Sequence, residues 1–110
     1  MSVDRTARIR AFNDALRSTF VGGRLLVTRG VSALGAEGMA AVLDRVRTFN
    51  DFTEESDPNG EHDFGAFEIE GNGFFFKIDY YDSTMDDGSE DPSDPKKTTR
   101  VLTIMLASEY

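Results

Sequence analysis

Two runs of alternating apolar residues, Phe64–Glu70 and Phe74–Asp82, flank the segment Gly71-Asn72-Gly73. Alternation with a period of two marks a half-buried strand, and a short glycine-rich link between two such runs reads as a β-hairpin. A two-residue Asn72-Gly73 turn of type I′ would match the natural twist of the strands. That turn predicts a register in which Ile69 faces Phe76, Phe67 faces Ile78 and Glu68 faces Lys77, the last a favourable cross-strand charge pair. One face then carries Phe67, Ile69, Phe74, Phe76, Ile78 and Tyr80 and must be covered by other elements. The opposite face carries Phe64, Phe75, Tyr81, Glu68, Glu70 and Asp79, a mixed surface with aromatic residues on it.

The rest of the chain supplies the cover. Residues 3–20 read as a helix, with Ile9, Phe12, Leu16 and Phe20 on one stripe, Ser2 as its cap and Gly22-Gly23 at its end. Arg5, Arg8, Arg10 and Arg17 fall mostly off that stripe and are expected to form a basic solvent face. Residues 24–29 read as a short strand. Residues 36–50 form a second helix with Met39, Val42, Leu43, Val46 and Phe49 at helical spacing, and Glu37 and Arg47 placed to suit its dipole. Residues 98–107 fit a strand or a buried helix; their Thr and Ile content and short run favour the strand. The order α-β-α-β-β-β in 110 residues predicts one domain over residues 1–110 of the α+β class. Its simplest form is an antiparallel sheet of about four strands with two helices packed on one face.

Charge is distributed unevenly. The chain carries a formal charge of −8, but residues 1–50 hold eight Arg against four acids, while residues 51–95 hold fifteen acids against Lys77 alone. The acids gather in two loops. Residues 51–63 contain the turn signal Asp57-Pro58-Asn59-Gly60. Residues 83–97 form a polar loop longer than small domains usually carry without a purpose. Such charge makes direct nucleic-acid binding by this half unfavourable, because phosphates repel it. With no cysteine there is neither a disulfide framework nor a Cys-based zinc site. No apolar run approaches the ~18 residues of a membrane span, and no secretory leader is evident, so a cytoplasmic protein without membrane contact is the expectation.

Residues able to carry chemistry are few. His62 is the single histidine and lies between Glu61 and Asp63, whose carboxylates favour its charged form. With Asp79 at a strand end it is the candidate for acid/base catalysis, and Glu61-His62-Asp63 would be the centre of a small metal-dependent or acid/base enzyme. Asp57, Asn59, Glu61 and Asp63 alternate as calcium ligands do, but the series lacks the length and closing Glu of a calcium loop, so no metal and no cofactor are expected. There is no phosphate-cradling glycine-lysine motif and no G-x-S-x-G.

The acids suggest a different role. Duplex DNA presents one negative charge per ~1.7 Å of axis, and a folded surface dense in carboxylates can imitate that field on the groove of a basic protein. The residues expected to do so are Glu54, Glu55, Asp57, Glu61 and Asp63 in one loop, and Asp86, Asp87, Glu90, Asp91 and Asp94 in the other. The partner would be a basic nucleic-acid-binding protein or nuclease. A homodimer formed through the Phe75/Tyr81 face is a further expectation.

Several stretches carry a family likeness: Ile9-Arg10-Ala11-Phe12-Asn13-Asp14, Thr28-Arg29-Gly30-Val31, Asp51-Phe52-Thr53-Glu54, the run from Asp57 to Gly65, Lys77-Ile78-Asp79-Tyr80-Tyr81-Asp82, and Arg100 to Ala107. Together they resemble DUF3768, a small alphaproteobacterial and often plasmid-borne family of unknown function. The resemblance carries no catalytic residue. It implies a role in maintaining mobile elements or countering host defence, which would make an inhibitor of a restriction or CRISPR system the concrete form of the mimic. Phe75 or Phe76 stands where members often carry Trp, which keeps the apolar character.

Overall fold

A computed structural model describes residues 2–110, with side chains from Arg5 onward; the expected Ser2 cap lies outside the described side chains. The elements are α1 (Ser2–Thr19), β1 (Arg24–Val27), α2 (Arg29–Ser32), α3 (Gly35–Thr48), β2 (Phe64–Ile69), β3 (Asn72–Tyr81), β4 (Thr99–Leu106) and a closing 3-10 turn, Ala107–Glu109. Residues 98–107 are therefore strand, and the fold is α+β with a four-stranded sheet. The strand order is β1-β4-β3-β2. β2, β3 and β4 run antiparallel, whereas β1 joins β4 in parallel, which makes the sheet mixed rather than wholly antiparallel. The parallel edge follows from the connection: the chain leaves β1 through α2 and α3, and a crossover of that length can return a strand in the same direction. The tail of the expected 24–29 strand instead turns at Thr28 into the short helix α2, whose Val31 is fully buried.

The hairpin turn falls at Glu70-Gly71, not at Asn72-Gly73. Both turn residues adopt left-handed backbone angles, φ 50° and 82°, and Ile69 pairs with Asn72. The register thus slides: Phe76 faces Gly65 rather than Ile69, and Phe67 faces Phe74 rather than Ile78. The expected Glu68–Lys77 pair is not made; Glu68 faces Gly73, and Lys77 binds Asp79 at 2.9 Å. Packing explains the choice. The Phe76 ring lies against Gly65, where a Cβ would collide with Phe76 Cε2 and sit 2.9 Å from Phe49 Cε2. Phe49 and Phe52 meet edge to face at 4.9 Å, and Phe49 meets Phe76 likewise at 5.2 Å, so this aromatic cluster needs a partner strand with no side chain at that point. The slide is an even number of residues, so every side chain keeps the face that alternation assigned to it.

Phe67, Phe74, Phe76, Ile78, Leu102 and Ile104 form the sheet side of the core; Leu16, Val31, Val42 and Val46 close it from the helices. Glu109 fastens the far end. Its carboxylate accepts from Thr28 Oγ1 (2.5 Å), Gly30 N (2.9 Å) and Leu106 N (2.8 Å), and these bonds, Thr28 first, hold its pKa below the ordinary value.

Candidate functional site

Both acidic loops leave the same end of the sheet. Residues 50–63 lead into the start of β2, and residues 82–98 join the end of β3 to the start of β4, where Tyr81 pairs with Thr99. Helix α1 lies beside that end and pins both. Arg5 meets Asp91 at 3.4 Å, Arg8 donates to the Ser93 carbonyl at 3.2 Å, and Arg10 donates to the Gly60 carbonyl at 2.9 Å. Arg5 and Arg8 are exposed, as the expected basic solvent face requires, yet they and Arg10 also tie the loops to α1. Arg17 departs furthest: it is only 6% exposed and donates to the carbonyls of Val46 (3.1 Å) and Phe49 (2.6 Å), satisfying the end of α3.

The anchor beneath the loops is a buried polar network centred on Asn13. Its amide nitrogen donates to the Glu61 carbonyl at 3.0 Å and to the Tyr80 hydroxyl at 2.7 Å, and its oxygen accepts from Arg100 Nε at 2.8 Å. Tyr80 in turn donates to Glu61 Oε1 at 2.7 Å. Burial first, and then this bond, raise the Tyr80 pKa well above the ordinary phenol value. Arg100 is 3% exposed, with its guanidinium 5.1 Å from the Phe12 ring centre and 5.2 Å from that of Tyr80, and it donates to the Pro92 carbonyl. Its partners are neutral oxygens and ring faces, and burial lowers its pKa.

His62 belongs to the same end. It has a left-handed φ of 56° and stacks on Phe52 with ring centres 3.8 Å apart. Its Nδ1 lies 2.8 Å from Asp14 Oδ1, and its Nε2 lies 3.7 Å from Asp57 Oδ2. Its backbone amide donates to both oxygens of Asp57, which is itself buried. Arg17 reaches the same Asp14 oxygen at 3.0 Å. The imidazole is therefore aimed at Asp14 and Asp57, while Asp79 binds Lys77 on the other face of the sheet. Among the described residues, His, Asp and Glu form no group of three or more placed to hold a metal ion.

The ten acids singled out by the sequence separate into two sets. Glu54, Glu55, Asp86, Asp87 and Glu90 are exposed, Glu90 with Lys97 3.3 Å away. Asp57, Glu61 and Asp91 are used inside the fold. Asp91 accepts from the Ser93 amide (3.1 Å) and hydroxyl (2.6 Å), bonds that together with Arg5 lower its pKa. Asp94 accepts from the Lys96 amide at 2.9 Å. Asp63 is half-buried, and burial, reinforced by Glu61, Asp57 and Asp79, raises its pKa. Asn13, Arg17, Tyr80 and Arg100 were not singled out, although Ile9, Asn13, Leu16 and Arg17 follow one another at helical spacing and mark the buried side of α1.

No helix among the described residues is long and apolar enough to cross a membrane. No curated protein and no solved structure matches the chain. A family described as "Protein of unknown function (DUF3768)" matches residues 27–109, from the end of β1 to the closing 3-10 turn. A match over well more than half of its residues makes this chain a member of the DUF3768 family.

Proposed function

We propose that the protein is a non-enzymatic acidic interaction protein whose loop end engages a basic, nucleic-acid-handling partner. In its sharpest form it is a DNA mimic that inhibits a restriction or CRISPR system and is carried on a mobile element. The supporting observation is the meeting of two acidic loops at one end of the sheet, with Glu54, Glu55, Asp86, Asp87 and Glu90 exposed there. The arginines of α1 are spent on tying the loops down, so they hold the carboxylates in place and leave these five outward. A fixed array of like charge attracts an opposite surface at lower entropic cost than a mobile one and speeds the encounter.

The acid/base enzyme centred on Glu61-His62-Asp63 has less support. A general base needs one ring nitrogen free for a substrate proton, yet both nitrogens of His62 are turned to carboxylates and one ring face is covered by Phe52. Glu61 is occupied by Tyr80.

The test is capture from host lysate on immobilised protein, with elution by salt and, separately, by duplex DNA. The expected result is a basic nucleic-acid-binding protein or nuclease that duplex DNA displaces and that the variant E54Q/E55Q/D86N/D87N fails to capture. Capture indifferent to DNA and to those four substitutions would remove the reading.

A further inference from the structure

The three α-helices bury their apolar residues against one face of the sheet; on the other the closing 3-10 turn and Tyr110 pack against β3, and Val101 and Met105 are already buried. The strand register lays that second face out as a grid. Across the middle run Leu26, Thr103, Lys77 and Phe64; beside them, toward the hairpin, lie Met105, Phe75 and Ala66. Phe64 and Phe75 pack at 5.3 Å, with the Tyr110 ring edge-on to Phe75 at 5.3 Å. Tyr110 is 76% exposed and Leu26 53% exposed. Next to Phe75 the small residues Ala66, Gly73 and Ala107 line a shallow trough of about 350 Å³.

We propose that this face is the interface of a homodimer, with a second copy seated on it across a twofold axis. The first argument is charge. The molecule carries −8, so two copies repel over most of their surface. This face is far nearer to balance: Lys77 and Asp79 pair at 2.9 Å, leaving Arg24 against Glu68 and, at the hairpin turn, Glu70. Arg24 and Glu68 are exposed and stand at diagonally opposite corners, Arg24 on the β1 edge beside Val101 and Glu68 on the β2 edge beside Gly73. A diagonal twofold through the Thr103–Phe75 centre places Arg24 of each copy over Glu68 of the other, so one complementary contact is made twice.

The second argument is shape. On the same grid, that rotation carries the exposed Leu26 of one copy over the trough beside Phe75 in the other. The two sheets then cross steeply, as in the orthogonal class of sheet packing. Size sets the strength. Four strands ~4.8 Å apart and about seven residues long at ~3.3 Å each give a face of roughly 440 Å². Two such faces bury about 900 Å², the size of a weak, transient interface. The dimer is accordingly one that dissociates on dilution.

Sedimentation velocity from low to high micromolar protein tests this, with Arg24→Glu, Glu68→Arg, the double exchange, and Leu26→Asp. All three sites are exposed on edge strands, and circular dichroism verifies that each variant is folded. The expected result is a dimer at high concentration that each single charge reversal weakens about tenfold, because two contacts are reversed at once. The double exchange restores it, and Leu26→Asp abolishes it. A monomer at every concentration would overturn the proposal, as would a dimer that the single reversals and Leu26→Asp leave unchanged. Glu68 lies by the hairpin, at the end of the sheet opposite the acidic loops, so the result of its reversal is independent of partner capture.

Discussion

Asn13 occupies a position that the apolar stripe of α1 would ordinarily give to a leucine. It is completely buried, and its amide is fully used between Glu61, Tyr80 and Arg100. Truncation would strand two acceptors and the Arg100 Nε donor in the interior, where each lost partner counts more than a bond gained in water. Asn13→Ala is therefore expected to destabilise the fold by about 1–3 kcal/mol, measured by urea denaturation; a loss within experimental error would show that water replaces the amide without cost. Asp63 makes the opposite case. Burial and the neighbouring carboxylates raise its pKa, so the folded state holds its proton more tightly than the unfolded chain does. Its contribution to stability is then greatest below the unfolded value of 3.8 and is lost as pH rises through the raised folded value. At neutral pH its charge is a liability. Asp63→Asn is expected to raise the melting temperature at pH 7, with the advantage shrinking as the medium is acidified into the carboxylate range. Equal melting temperatures at neutral pH would refute this.

At the scale of elements, the hairpin shows what alternation conveys and what it omits. The faces of β2 and β3 were legible because period two depends only on local sequence, and the core residues Phe67, Phe74, Phe76 and Ile78 lie where it put them. The register was not legible. It is decided by a long-range contact, the ring of Phe76 over Gly65 with Phe49 arriving from the end of α3. Gly65→Ala drives a methyl into that ring and is expected to cost about 1–3 kcal/mol, the usual range for overpacking. A Gly65→Ala variant as stable as the parent would mean that the glycine does not set the register. Helix α1 follows the same pattern. Its existence is plain from Ile9, Leu16 and Phe20, but Asn13 and Arg17 are polar types that an apolar stripe does not mark. Only their partners, brought in from β3, β4 and the end of α3, make them core.

At the scale of the whole molecule, sequence located the negative charge in two loops but could not bring the loops together. Their meeting depends on strand order, which places the end of β3, the start of β4 and the start of β2 at one end. Nor could it separate acids that face outward from acids that build the fold: Asp57 and Glu61 read the same as Glu54 and Glu55 until His62 and Tyr80 are seen to claim them. The account therefore rests on the position of the exposed carboxylates, not on the net charge of −8. The most direct test compares two variants with the same change in charge for capture of a basic partner at several salt concentrations. One variant neutralises Glu54, Asp86 and Asp87 at the loop end; the other neutralises Glu37, Asp44 and Glu70, all exposed elsewhere. The account predicts that the first loses salt-sensitive capture and the second retains it. Equal behaviour of the two would contradict it.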